Sequence, residues 1–319
     1  MANLVTKTIK DKEYLYLEEP IRINKIVRNI SKYLGPKEKI TEKIVKQEKE
    51  TFKKELTSKK AKLITKILVK NIKKLEYPLT TEEVKKIEEM NLEYKKTTKT
   101  LEDLNKRFIA NYVFETNALE GNSLTLKNVA EVIFEKRITK GKDLREIYDA
   151  QNSYNLFLHL QKTREKITNK FIIKLHSKVM DKIDDRLGYR KVPVMLIGKP
   201  TTKLTKPEQV YKEMDKLIKW YHENQDKIYP LELAFKFHAK FEKIHPFCDG
   251  NGRVGRLLLN YILIKKNYFP IIIRKTSRNS YINALEAADY EKWIVLIRFA
   301  LKHYKKTFRN FFEIYAKYV

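Results

Sequence analysis

The stretch His245-Pro246-Phe247-Cys248-Asp249-Gly250-Asn251-Gly252-Arg253-Val254-Gly255-Arg256 decides how this chain is read. The sequence has eight glycines in 319 residues, and Gly250, Gly252 and Gly255 are three of them. Glycine so concentrated marks a backbone that takes special angles or approaches a ligand closely. Upstream, Leu233, Phe237, Phe241 and Ile244 keep helical spacing and stop at His245-Pro246. Proline ends the helix there, because the residue before it is pushed out of the α region. Downstream, Leu257-Leu258-Leu259, Tyr261-Ile262 and Ile264 predict a buried helix running into Lys265-Lys266. The stretch is therefore a helix, a glycine-rich loop and a helix N-terminus, whose free N–H groups and positive dipole end suit an anion.

The side chains add chemistry to that frame. Arg253 and Arg256 lie three apart and share a helix face, where guanidinium forks suit phosphate oxygens. Asp249 is a natural Mg²⁺ ligand beside phosphates, since Mg²⁺ takes one or two carboxylates plus phosphate oxygens. His245, at the mouth of the loop, is a candidate general base. Together these point to phosphoryl or nucleotidyl transfer. The glycines also spell G-x-G-x-x-G, but a helix precedes them and no acidic residue stands in the Ile271-Ile272-Ile273-Arg274-Lys275 stretch that follows. The dinucleotide reading fails on both counts. No G-x-x-x-x-G-K-[ST] occurs, so the chain carries no P-loop.

These residues resemble the Fic motif, H-P-F-x-[D/E]-G-N-G-R-x-x-R, with every defined position matched. The resemblance implies a mainly α fold: a helical Fic core with a β-hairpin flap. It also implies transfer of AMP from ATP to a Ser, Thr or Tyr hydroxyl of a target protein. It assigns His245 as the base, Asp249 as the Mg²⁺ ligand, and the Gly250-Asn251-Gly252 loop with Arg253, Val254, Gly255 and Arg256 as the ATP site, Arg256 reaching the γ-phosphate. Doc-like kinases of the superfamily carry lysine at the second loop glycine, so Gly252 points to AMP transfer. Thr116-Asn117-Ala118-Leu119-Glu120-Gly121 resembles the family's inhibitory motif, [S/T]-x-x-x-E-[G/N]. That likeness implies that Glu120 pairs with Arg256 and denies it to the γ-phosphate, one carboxylate competing with a phosphate for one guanidinium. Val194, Met195, Leu196, Ile197 and Gly198 match the flap in place and character, and strand addition there holds a target backbone without reading much sequence. Tyr281 to Asp289 resembles the segment near the adenine, but Ile282 and Asp289 replace its second tyrosine and its asparagine.

Outside the resemblance, which covers about residues 105–290, only pattern speaks. Residues 1–36 predict two or three short antiparallel strands, with a turn near Asn24-Lys25 and an end at Gly35-Pro36. Residues 37–104 form a helical arm, with Ile44, Phe52, Leu56, Leu63, Ile67 and Leu68 near helical spacing. A break at Tyr77-Pro78 follows, then a helix capped by Thr80 or Thr81. A helix ends near Leu119 with Gly121 beyond it. Two or three core helices span 140–185, with His176 on an apolar stripe as a core histidine. Gly188 to Gly198 is extended, and Pro207-Glu208 open a helix through Trp220. Residues 291–319 form an aromatic-rich helix that packs on the core or on a second subunit, which makes a homodimer one expectation.

The formal net charge is +28. That raises nucleic acid as a partner, and with it a second class of function, a basic nucleic-acid-binding regulator with a secondary Fic site. Much of the charge is lysine alternating with glutamate, as in Glu48-Lys49-Glu50, the pattern of a solvated helix face. A third expectation is removal of AMP, with Glu120 positioning a water. Cys248 is the only cysteine, so no intrachain disulfide forms. With no signal peptide and no apolar run long enough to cross a membrane, the sequence predicts a cytoplasmic protein.

Overall fold

The computed structural model describes residues 2–23, 26–71, 79–97, 102–137, 141–195 and 204–313. The chain divides into two compact units, one of residues 1–73 with 78–95 and the other of residues 74–77 with 96–319.

The first unit opens with a three-stranded antiparallel sheet in the order β1 (Asn3–Ile9), β2 (Lys12–Ile23), β3 (Ile26–Pro36). Asn3 pairs with Glu18 and Ile9 with Lys12, so the first hairpin closes on Lys10 and Asp11. Both have positive φ, 49° and 60°, as a two-residue primed turn demands. The sequence pattern misses β1, whose Asn3–Ile9 residues are almost all exposed and carry no buried face to alternate against. The 13–19 and 21–24 runs join into one long β2 in spite of Pro20. Pairing with β1 stops at Glu18, so Pro20 occupies the stretch of β2 that only β3 flanks. The predicted turn at Asn24-Lys25 lies outside the described residues.

Alternation gives the sheet two unlike faces. Leu17 and Ile21 on β2 and Ile30 on β3 pack with Phe52 of α1 (Glu42–Asn71), flanked by Leu56, Leu63 and Ile64. Lys60 of α1 adds an ion pair to Glu19 at 2.9 Å. The opposite face holds Tyr14, Tyr16 and Tyr33 in ring contact, with Lys7 4.7 Å above Tyr16. Helix α2 (Thr81–Thr97) begins in a capping box: the Thr80 hydroxyl accepts from the Glu83 amide at 3.2 Å, and the Glu83 carboxylate accepts from the Thr80 amide at 3.0 Å.

The second unit is helical. Its described helices are α3 (Glu102–Leu119), the short α4 (Leu126–Ala130) continued by a π-turn over Glu131–Glu135, α5 (Leu144–Lys162), α6 (Asn169–Val179), α7 (Val210–Asn224), α8 (Pro230–Ile244), α9 (Asn251–Lys265), α10 (Arg278–Asp289) and α11 (Trp293–Phe311). Helices α8 and α9 are the centre. Every residue of α8 from Leu231 to Ala239 is buried, and α9 is buried from Arg253 to Leu263. A helix buried on all sides must be wrapped by others. Here α7, α10 and α11 pack on α8, while α3, α5 and α6 pack on α9. The aromatic stripe of α11 belongs to this core: Tyr304 stacks on Phe269 at 3.9 Å, and Phe311 and Phe312 meet Phe108 of α3. Tyr315 and Tyr318, read as part of the same stripe, lie outside the described residues.

The segment expected to be extended differs. From Gly188 to Met195 the chain runs as bends and irregular backbone, with no strand among the described residues. Leu196, Ile197 and Gly198 lie outside them. No helix of the described residues is long and apolar enough to cross a membrane.

Candidate active site

The α8–α9 corner builds the site. Helix α8 ends at Ile244, and His245 takes a left-handed conformation, φ 51° and ψ 62°. Pro246 does exclude the right-handed α region from the preceding residue, but His245 turns to positive φ rather than to the extended region usual before proline. The loop is then braced from within. The Asn251 side chain accepts from the Phe247 amide and donates to the Phe247 carbonyl, both at 2.9 Å. His176, fully buried, stacks on Phe247 at 3.7 Å and bonds the Asp249 carbonyl through Nε2 at 3.0 Å. It is the core histidine that its apolar stripe predicts.

Helix α9 starts behind Gly250, at φ 79° and without a side-chain cap. Its first amides, those of Asn251, Gly252 and Arg253, have no intrahelical partner by the geometry of a helix start. These are the donors an anion needs. Val254 is not among them: its side chain is fully buried and its amide bonds the Gly250 carbonyl at 3.0 Å. Gly255 likewise faces protein, since a Cβ there would lie 2.5 Å from Glu242 Oε1 and 2.9 Å from the His238 ring. It lets α8 and α9 approach.

The charged groups are arranged in two layers. Arg253 is buried and donates to Asp149 of α5 through Nη1 and to Asp249 through Nη2, the latter at 3.3 Å. Burial pulls its guanidinium down to about 10. The Asp249 carboxylate also accepts from the Gly250 amide at 2.6 Å and from Arg145. Deeper, Arg256 is 4% exposed and is gripped by the C-terminus of α3. Its Nε donates to the Thr116 hydroxyl at 2.8 Å, its Nη2 to the Thr116 carbonyl at 2.8 Å and to Glu120 Oε1 at 2.6 Å. Burial works against both charges, but each outweighs that penalty for the other: Glu120 is held below the usual carboxylate range and Arg256 above the usual guanidinium one. A Cβ at Gly252 would overlap Glu120 Oε1 and lie 2.8 Å from Arg256 Nη1. The second loop glycine is thus what admits the Glu120 carboxylate.

His245 sits beside this cluster, half-buried. Burial first, and then the Arg190 charge, push its imidazole down to about 4. The ring is neutral at physiological pH, with a lone pair to accept a proton. Behind it Glu242, His238 and Tyr281 form a buried group, the Tyr281 hydroxyl bonded to His238 Nε2. Burial raises Glu242 to about 8 and lowers His238 to about 3. Asp289 ends α10, where Lys243 lies 3.8 Å from its carboxylate and bonds its carbonyl at 3.2 Å.

Sequence reading singled out neither Asp149 nor Arg145, which neutralise Arg253 and Asp249, nor the two bonds from Thr116. It gave Arg190 no role either. The one available signal was residue choice: arginine is the minority base in this lysine-rich chain, and Arg145, Arg190, Arg253 and Arg256 all collect at the site.

A helix–loop–helix corner with amide donors, two arginines and a neutral histidine offers the groups that a nucleotide's phosphates and a proton transfer require. Residues 166–263 match the model described as the Fic/DOC family. A protein adenylyltransferase of Caenorhabditis elegans, fic-1, is 28% identical over 207 residues, covering 63% of this chain and 40% of its own. A protein adenylyltransferase Fic of Nematostella vectensis is 30% identical over 203 residues, covering 61% of this chain and 47% of its own. The chain thus spans less than half the length of these relatives. A Fic-domain-containing signalling protein from Bacteroides thetaiotaomicron shares the fold, with a TM-score of 0.66 at 21% identity over 72% of this chain and 97% of that one.

Proposed function

We propose that this protein is an autoinhibited protein adenylyltransferase that moves AMP from ATP to a hydroxyl of a target protein. The observation that carries the reading is the position of Arg256. It lies one helical turn from the free amides of α9 and is occupied by Glu120 at 2.6 Å. A guanidinium set beside an anion site and filled by a carboxylate is a phosphate contact under competition. In the released state the triphosphate lies on the amides of Asn251, Gly252 and Arg253, with its γ end on Arg256. A target Ser, Thr or Tyr is held by the flap, Val194 to Gly198. His245 takes the hydroxyl proton, the oxygen bonds to the α-phosphorus, and the bridging P–O bond to the β-phosphate breaks, releasing pyrophosphate.

Asp249 suits a Mg²⁺ ion. Its carboxylate is 35% exposed, and Arg145, the partner on one of its oxygens, is itself 51% exposed. With Asp249 as its ligand, such an ion supplies charge neutralisation on the leaving pyrophosphate. Asp289 is proposed near the adenine, and a homodimer belongs to the same reading.

The test is incubation with α-labelled ATP and Mg²⁺ of the natural chain, Glu120→Gly, and Glu120→Gly with His245→Ala. Label on protein in the Glu120→Gly variant, weak in the natural chain and absent from the double variant, is the expected result. Failure of all three to bind nucleotide would overturn the reading.

A further inference from the structure

Arg190 is buried, 4% exposed, and among the described residues every hydrogen-bond partner of its guanidinium is a main-chain oxygen. Its Nε donates to the His245 carbonyl at 2.7 Å, and its Nη2 reaches the Ile244 carbonyl at 3.4 Å. These are the last oxygens of α8, unsatisfied within the helix, and a cation is favoured at that end. The other donors go elsewhere: Nη1 to the Val192 carbonyl at 3.2 Å and Nη2 to the Thr205 carbonyl. Its own amide bonds the Pro246 carbonyl at 2.8 Å. One side chain therefore fastens the left-handed corner at His245 to the chain on both sides of residues 193–204. Burying a charge without a carboxylate is costly, and carbonyl dipoles offset that cost only while all of them are in place. Ion pairing does not explain the residue. Joining two parts of the chain does.

We infer that Arg190 is a positioning residue that ties the backbone carrying His245 to the two stretches, at Val192 and Thr205, between which the acceptor-holding segment runs. The inference rests on the adenylyltransferase reading for the roles of those two parts, and on the geometry alone for their being joined. Near-attack placement needs the hydroxyl within about 3–3.5 Å of its partners, so a base and an acceptor-holding segment that drift independently lose rate without losing nucleotide. The planar fork is what serves several carbonyls at once. A lysine in its place keeps the charge and makes fewer of the bonds.

The test uses the full chain in the Glu120→Gly background. Arg190→Gln and Arg190→Lys are compared with their parent by rate of self-labelling from α-labelled ATP, ATP–Mg²⁺ affinity, and backbone amide exchange of residues 191–195 and 204–206. For Arg190→Gln the expected result is labelling slowed about 100-fold, ATP affinity within about twofold, and exchange faster by about tenfold, with Arg190→Lys recovering about tenfold of the rate. Labelling within threefold of the parent overturns the inference. So does a parallel loss of ATP affinity, which would make Arg190 a general support of the fold. Should the glutamine variant fail to fold, the lysine variant carries the same comparison. If the parent itself binds ATP but never labels, it is the transfer reading that fails. The exchange measurement then still decides the join, and unchanged exchange overturns it.

Discussion

Replacing Glu120 by glutamine separates the ion pair from the rest of the Arg256 socket. The bond lost in charge is the 2.6 Å contact to Nη2, while the two Thr116 bonds at 2.8 Å remain. Breaking a fully buried pair by removing one partner costs about 3–5 kcal/mol. Arg256 meets that condition, with its side chain 5% exposed, but Glu120 does not, at 40%. Water reaching the carboxylate side brings the cost down toward the surface value, so about 1–2 kcal/mol is expected. In a helical unit of this size that lowers the melting temperature by about 2–8 °C. Nucleotide reverses the order. Once Glu120 no longer competes, ATP–Mg²⁺ binds the variant more tightly, and at 100 times its dissociation constant ligand adds about 2.7 kcal/mol. The assay is thermal unfolding of natural chain and variant across an ATP–Mg²⁺ titration. The variant melts lower without nucleotide and shows the larger shift with it. Equal melting temperatures together with equal shifts would refute the reasoning, because they would mean that the carboxylate does not hold Arg256 in solution.

Three further outcomes are expected. Gly255→Ala puts a methyl 2.5 Å from Glu242 Oε1 and 2.9 Å from His238, forcing α8 and α9 apart at a cost of about 1–3 kcal/mol in urea unfolding. Asn251→Ala removes both 2.9 Å bonds to Phe247, costing about 1–3 kcal/mol and lowering ATP affinity in a binding titration as the loop loses its brace. Glu242 is raised to about 8 from an ordinary 4.5, so between those values the folded chain keeps a proton that the unfolded chain has released. Stability therefore falls as pH rises through that window, by up to about 1.4 kcal/mol per unit. Glu242→Gln flattens the urea midpoint between pH 5 and 8, and an unaltered slope would show that Glu242 is not the group responsible.

The helices of the second unit were legible because their apolar residues repeat at helical spacing and their ends carry plain signals: Pro246, Gly121, and Pro207 before α7. The loop was legible because its chemistry is local in sequence. What escaped is non-local or unpatterned. Strand β1 has no buried face. Asp149 and Arg253 are 104 residues apart, and nothing near either one announces the other. Glu120 and Arg256, 136 residues apart, were joined only through the family resemblance. The role of Arg190 depends on where the chain returns at Thr205, which no periodicity encodes.

Arg256 has three bonds to the end of α3, and two of them come from Thr116. The arginine therefore stays seated when the carboxylate leaves. No arm has to move and no helix has to slide for the site to change state. Glu120 behaves as a ligand tethered to its own receptor, already oriented, at an effective concentration fixed by the last turn of one helix. Dilution and dialysis cannot remove such a ligand. On the proposed reading, its strength against ATP is set by how often that last turn frays, so whatever loosens or steadies residues 117–122 would tune the site without touching the loop.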